Sequence, residues 1–310
     1  MKDNCKRVVD VAPMKLAFAT LDVFSEKRFA GNPLAVVFDA DKLEAETMQA
    51  IAREFGYPET VFVLKPDSFT STARVRIFTP GTELPFAGHP TVGTAFILAL
   101  RGLGELGTIV LEEKIGVIHC NVSLDGDRGH AHFLLPDLPR GAGSPAPTLA
   151  IAQALGLSVS DIGFDRFVPA RWSVGNAFTF VPVRNLDAVR RCHVYEPAWD
   201  QAFELGGRTS AFVFCNETLD PANQFHARMF APRLGVNEDP ATGSAVAALG
   251  GLCVRTLALD QGEHRFNVEQ GHEMGRPSLI ELTLTLRSGL LRLATVGGPA
   301  ILVSEGTIEA

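Results

Sequence analysis

The chain has 310 residues, 46% hydrophobic and 20% charged, which is the balance of a globular protein with room for one large domain or two ordinary ones. A net charge of −7 and the lack of any Lys/Arg run give no overall basic footprint for nucleic acid, and the most apolar run, residues 94–100, stops at Arg101, far short of a membrane span. The five cysteines (Cys5, Cys120, Cys192, Cys215 and Cys253) are scattered without CxxC spacing, so they read as reduced thiols in the cytoplasm and not as a disulfide frame or zinc site.

Residues 1–13 carry Lys and Arg but no apolar core of signal-peptide length. They read as a disordered extension, with Met14 an alternative start. Residues 16–23 and 34–38 are predicted strands joined through a Gly-Asn-Pro turn. Residues 43–55 have apolar positions at helical spacing, and Gly56-Tyr57-Pro58 ends that helix. Strands follow at 59–64 and 73–78, a helix at 91–101, and further strands at 107–112, 116–122 and 130–135. The helix at 91–101 is apolar nearly all round, which demands burial on every side, and a sheet curled around it satisfies that demand.

Residues 136–147, rich in Pro, Gly and Ala, form the best linker in the chain. Beyond it the pattern restarts: a helix at 148–155, strands at 167–173 and 178–183, helices at 186–191 and 197–205, then strands at 211–216 and 224–230. A second nearly all-apolar helix spans 244–257. Strands at 265–269, 278–287, 290–296 and 300–308 close the chain, with Gly297-Gly298-Pro299 breaking the last two apart.

Two segments repeat. Arg76-Ile-Phe-Thr-Pro80 followed by Ala87-Gly-His-Pro-Thr91 resembles Arg228-Met-Phe-Ala-Pro232 followed by Ala241-Thr-Gly-Ser-Ala245. Each has a strand end, a short loop, and a Gly with small polar residues opening an apolar helix. Two such helix N-termini facing each other make an anion site between two similar halves. Gly88-His89 and Thr242-Gly243-Ser244 are its candidates, Ser244 as an N-cap; either loop alone reads first as an ordinary capped helix, and the repetition shifts the balance toward a site. Asp239 is either a turn residue before Pro240 or a carboxylate aimed into the cleft toward His89. Glu59 is either a solvated strand end or a general acid/base, and spacing does not choose it over Glu83 or Glu238. His130 and His132 share a strand face but lack a third metal ligand. There is no P-loop, Rossmann fingerprint or nucleophile elbow.

In family order, Asp22-Val-Phe, Phe29-Ala-Gly-Asn-Pro33, Pro58-Glu-Thr-Val-Phe-Val63, Gly88-His-Pro-Thr91, Phe230-Ala-Pro232, Glu238-Asp-Pro-Ala-Thr-Gly-Ser244, Gln270-Gly271, Met274-Gly-Arg-Pro-Ser278 and Val296-Gly-Gly298 resemble the PhzF-like proteins of phenazine biosynthesis, from about residue 16 to the C-terminus. The resemblance implies an α+β, diaminopimelate epimerase-like fold of two pseudo-symmetric halves, each a β-barrel-like sheet around a central α-helix, with the active site between them. The expected halves are 14–136, completed by a strand near 297–310, and 148–296. It implies Glu59 as the catalytic acid/base, His89 and Asp239 as catalytic residues lining the site, Gly88, Gly243 and Ser244 holding a substrate carboxylate, and Asn32 and Thr242 also binding substrate. The family's better-known members isomerise a cyclic dienyl amino acid by moving a proton between carbons, without metal or organic cofactor. Two-thiol epimerases and racemases share the fold, with cysteines just before the Gly of each loop. Ala87 and Ala241 stand there in this chain, and alanine can do neither half of that chemistry. One departure is Pro90 where the family often has Ala. Proline suits a first helical turn, but it opens the question of a reshaped pocket.

The expected function is thus a cofactor-independent isomerase moving a proton on a small carboxylate, in a cytoplasmic homodimer without nucleic-acid or membrane partners. A non-thiol epimerase or racemase of an amino or hydroxy acid, and a non-catalytic small-carboxylate binder, are the alternatives.

Overall fold

The computed structural model describes residues 14–105 and 107–310, so the expected extension at 1–13 and Cys5 lie outside the described residues. The first half runs β1 (Lys15–Val23), β2 (Asn32–Val37), α1 (Ala45–Phe55), β3 (Glu59–Leu64), β4 (Ala73–Phe78), β5 (Glu83–Leu84), α2 (Gly88–Leu100), β6 (Thr108–Glu113), β7 (Gly116–Asp125) and β8 (Arg128–Leu134). The second runs β9 (Arg140–Gly141), α3 (Thr148–Ala154), β10 (Ala170–Val174), β11 (Asn176–Pro182), α4 (Leu186–Arg191), α5 (Glu196–Phe203), β12 (Ser210–Cys215), β13 (Phe225–Ala231), β14 (Val236–Asp239), α6 (Gly243–Thr256), β15 (Gly262–Gln270) and β16 (Ser278–Arg287). The last strand, β17 (Leu290–Glu309), serves both.

Pairing proceeds β1–β2–β3–β4–β6–β7–β8–β17 and returns to β1, a closed eight-stranded barrel. Only β2–β3 and β4–β6 are parallel, and the crossover that makes β4 and β6 parallel is α2. That helix therefore lies inside the barrel. Every residue from Gly88 to Leu98 is buried, as an all-apolar helix surface requires. Phe96 is fully buried there, and truncating it to Ala would cost about 3–5 kcal/mol. At Gly93 the helix lies close against the wall: a Cβ would lie 2.6 Å from the Leu34 side chain.

The second half repeats the scheme. β11–β12 and β13–β15 are parallel, and α6 is the crossover between β13 and β15. Its sheet runs β10–β11–β12–β13–β15–β16–β17 around α6, and no pairing among the described residues closes β10 onto β17. Helices cover the outer faces. Met48 and Ile51 of α1 pack on Phe62 and Phe78, while Ile151, Val189, Trp199 and Phe203 of α3–α5 pack on Val181 and Val213.

Most predicted elements lie within a few residues of the observed ones. The clearest correction is β17, which runs unbroken through Gly297-Gly298-Pro299. The glycines mark close packing and not a break: a Cβ on Gly297 would lie 2.3 Å from the Ala131 carbonyl, and one on Gly298 2.7 Å from the Leu279 carbonyl. Here the strand changes partners. Its ladder with β16 reaches Gly297, its ladder with β1 starts at Ala300, and Pro299, with no N–H to pair, sits between. The two-residue strands β5 and β9 and the short β14 escape periodicity, β9 lying inside the predicted linker.

Candidate active site

The two central helices meet end to end. A Cβ on Gly88 would lie 3.3 Å from the Ser244 backbone N and 3.4 Å from the Gly243 backbone, so glycine is needed at Gly88 for close approach of two backbones. Helix geometry leaves the N–H groups of Gly88, His89, Gly243 and Ser244 without intrahelical partners, and they have none among the described residues. The N-caps are Ala87 and Thr242, which corrects two expectations. Ser244 is the second helical residue and not the cap, and the residue just before the second loop's Gly is Thr242, not Ala241. Neither Ala87 nor Thr242 is a thiol, and the four described cysteines are buried elsewhere. Pro90 is the third residue of α2. At the same place in α6 the Ala245 N–H is already spent on the Thr242 carbonyl, so proline removes no free donor.

Around this junction stand the three predicted acid/base residues. Glu59 opens β3, in parallel register with Leu34, and His89 is the second residue of α2. His89 Nε2 lies 3.4 Å from Glu59 Oε2, with only 6% and 17% of their side chains exposed. Those two atoms are buried without a hydrogen-bond partner among the described residues. Asp239 ends β14 on the other half, yet its carboxylate is held across the cleft: Asn32 Nδ2 donates to Oδ1 at 2.9 Å, while Thr242 Oγ1 donates to Oδ2 at 2.5 Å.

Hydrogen-bond bookkeeping places the protons. Gln270 is oriented by its neighbours, since its Oε1 accepts from the Thr242 N–H at 3.1 Å and its Nε2 donates to the Asp239 carbonyl at 2.7 Å. Nε2 also donates to Thr242 Oγ1 at 3.0 Å, which leaves the Thr242 proton for Asp239. Asn32 is oriented in the same way by the Ala241 carbonyl, 2.9 Å from Nδ2. Both Asp239 oxygens therefore accept hydrogen bonds, an arrangement that favours the carboxylate. Burial nonetheless raises its pKa to about 6, against the pull of Thr242 and Asn32. Burial, with the Asp239 charge added, pushes Glu59 up to about 8, so the resting proton sits on Glu59. Burial drives His89 down to about 3, and the partner that opposes it is Pro33. Pro33 has no N–H, so its carbonyl is the acceptor. His89 is thus an uncharged imidazole at neutral pH, and its Nε2 faces the Glu59 carboxyl.

The rival glutamates are otherwise engaged. Glu83 takes a two-pronged ion pair from Arg76 at 2.8 and 2.9 Å, and Glu238 takes its counterpart from Arg228 at 2.8 Å twice. The repeated Arg-x-Phe pattern is thus structural, each guanidinium also lying over its Phe ring. Strand pairing explains the lone acid. Phe78 lies opposite Thr60 and Phe230 opposite Ala211, so the repeat relates Glu59 to Ser210. Gln270 is the site residue that sequence reasoning missed, its one signal being the Gln-Gly pair among the family motifs.

These features match known proteins. The phenazine biosynthesis-like protein family (PhzC-PhzF) matches residues 21–306. An uncharacterised isomerase of Mesorhizobium japonicum is 46% identical over 93% of this chain and 96% of its own. The trans-2,3-dihydro-3-hydroxyanthranilate isomerase of Pseudomonas chlororaphis is 32% identical over 94% of this chain and 98% of its own. A solved PhzF-family phenazine biosynthesis protein from Bacillus anthracis superposes with a TM-score of 0.86 at 30% identity, over 95% of this chain and 99% of that one. The chain therefore belongs to the phenazine biosynthesis-like, or PhzF, family, and is an isomerase with that family's α+β fold.

Proposed function

We propose that this isomerase shifts a proton between carbons of a small carboxylate-bearing substrate, with Glu59 as the proton carrier. The substrate carboxylate lies on the N–H groups of Gly88, His89, Gly243 and Ser244, where both helix dipoles favour negative charge. In its ionised form Glu59 takes a proton from a carbon activated by conjugation with that carboxylate. The C–H electron pair enters the π system, and the same four N–H groups meet the charge that reaches the carboxylate. Glu59 then returns the proton to a second carbon, the π electrons form the new C–H bond, and the enzyme ends as it began. His89 orients the Glu59 carboxyl. Burial, with the charge of Asp239 held by Asn32 and Thr242 adding to it, keeps the carrier's pKa near working pH, where general acid–base transfer is most effective. A carboxyl titrating near 8 is about one-tenth ionised at pH 7, a modest cost for a stronger base.

The observation that carries this reading is the buried Glu59 carboxyl, unpartnered except for a neutral histidine, beside a fixed carboxylate from the other half. The name of the Pseudomonas chlororaphis relative supplies the substrate to try. Incubated with trans-2,3-dihydro-3-hydroxyanthranilate in deuterium oxide, the protein is expected to yield an isomer carrying deuterium at one carbon. Glu59→Gln is expected to lower kcat by about 10²–10⁴-fold while leaving substrate Kd within about threefold. Undiminished turnover in that variant removes Glu59 from the mechanism. Inversion at one carbon without a double-bond shift marks an epimerase, and binding with neither exchange nor turnover marks a carboxylate-binding protein.

A further inference from the structure

The internal repeat pairs two buried residues that the mechanism above treats separately. Ala73 of β4 lies opposite Leu111 of β6, and Phe225 of β13 opposite Val268 of β15. With Arg76 matching Arg228, Ala73 matches Phe225, so Leu111 corresponds to Val268, Glu112 to Glu269 and Glu113 to Gln270. The middle pair confirms the alignment. Glu112 accepts the N–H groups of Asp67 and Ser68 at 2.7 and 2.8 Å, and Glu269 accepts those of Leu219 and Asp220 at 2.9 and 2.8 Å, residues in matching places of the two halves. Glu113 is therefore the first-half counterpart of Gln270, the amide that braces the N-cap of α6.

Glu113 reaches the N-cap of α2 through one intermediary. Its Oε1 lies 2.7 Å from Thr91 Oγ1, and that hydroxyl lies 2.8 Å from the carbonyl of the N-cap Ala87. A hydroxyl has one proton. The Ala87 carbonyl already accepts the Thr91 N–H at 3.2 Å, so the hydroxyl proton has two destinations; when it goes to Ala87, the 2.7 Å contact takes a proton from Glu113. The other oxygen, Oε2, is buried with no partner, a costly place for half of a carboxylate and a tolerable one for a neutral acid. An ionised Glu113 would also set negative charge about one helical turn from the free N–H groups of Gly88 and His89, against any carboxylate bound there.

We propose that Glu113 is a positioning residue that works as an uncharged carboxylic acid, bracing the N-terminus of α2 through Thr91 as Gln270 braces that of α6. Burial raises Glu113 to about 8, only partly offset by Thr91, which agrees with the geometry. The ionisable groups around it are the buried Cys120 thiol of β7 and, along the cleft that Glu113 lines, Asp41, Glu44, Asp67, Arg74, Arg76, Glu83, Glu112 and Lys114. The bonded partner is the neutral Thr91, so none of the cations neutralises an ionised Glu113 by direct contact.

The test needs no substrate, so its outcome is separable from that of the proton-shift reading. In a Glu59→Gln background, infrared spectra at pH 7 are expected to show a protonated-carboxyl stretch that vanishes when Glu113→Gln is added. Glu113→Gln, which installs the residue of the other half, is expected to melt within about 2 °C of its parent. Its Gly88 and His89 amide resonances should stay in place and cease to drift between pH 7 and pH 9. Glu113→Ala is expected to melt lower and to shift both resonances. Absence of a Glu113-dependent band at pH 7, or a Gln variant as perturbed as the Ala variant, would overturn the proposal.

Discussion

His226 shows how one side chain can tie in place the strand that carries Gln270. It is 1% exposed and sits between two carboxylates, with Glu269 Oε2 2.8 Å from Nδ1 and Glu273 Oε1 3.1 Å from Nε2. These acids flank Gln270, so the histidine clamps both sides of the residue that holds Thr242 and Asp239. Burial alone would lower the His226 pKa, but Glu269 and Glu273 outweigh it and the net shift is upward. A folded-state pKa above the unfolded value gives stability that is fully present below about pH 6.5 and is lost as pH rises through the folded value. We therefore expect the melting temperature to fall across that alkaline window in the wild type. His226→Gln should melt lower at pH 6 and lose the slope. Equal slopes in both proteins would show that another group titrates. Glu269 acts at the opposite end: burial would raise it, but His226, Asn223 and the N–H groups of Leu219 and Asp220 bring it to about 2, so its contribution is present above pH 4.5 and fades as pH falls toward 2.

Among the elements, α2 and α6 place the candidate site. Each is a crossover helix swallowed by its own sheet, so its N-terminus emerges at the sheet's end and meets its twin. This closeness gives Gly88 a measurable role. In Gly88→Ala the added methyl would stand 3.3 Å from the Ser244 N and 3.4 Å from the Gly243 backbone. Both neighbours are main chain and cannot swing aside, so the helices must part by a few tenths of an ångström and the methyl shields the Ser244 N–H. We expect KM for a carboxylate substrate to rise about tenfold or more, the scale of one lost charge-assisted hydrogen bond, with a melting temperature lowered by only a few degrees. An unchanged KM would mean that the carboxylate sits elsewhere. Helix burial was legible because α2 and α6 have no polar stripe, and the paired helix openings because they repeat in the chain. The start of α2 was read late: Gly88-His89-Pro90 look like loop residues, but Gly is needed for contact and Pro is harmless in the first turn. The continuity of β17 was hidden for a related reason, since Gly297 and Gly298 report close packing against Ala131 and Leu279 and not a turn.

At the scale of the whole molecule, the two halves share β17 and complete each other's site. The strand leaves β16 at Gly297, joins β1 at Ala300 and lies along β8 across that exchange. Across the cleft, Asn32 of the first half holds Asp239 of the second, and Arg276 reaches back to Asp22 at 2.5 Å and to the carbonyls of Ala30 and Gly31. Sequence alone named Glu59, His89 and Asp239 through a family resemblance, while spacing left Glu59 level with Glu83 and Glu238. Only three-dimensional pairing separates them, because Arg76 and Arg228 occupy the other two. Gln270 was similarly out of reach, since its role depends on the strand that brings it under Thr242. The central claim is that Glu59 of one half carries a proton because burial raises its carboxyl and the Asp239 charge of the other half raises it further. Titration of the Glu59 carboxyl carbon by ¹³C NMR, in the wild type and in Asp239→Asn, tests this most directly. The structure predicts an apparent pKa of about 8 in the wild type and a lower one in the variant. A Glu59 that titrates near the ordinary 4.5, or one that does not move when the Asp239 charge is removed, would contradict the account.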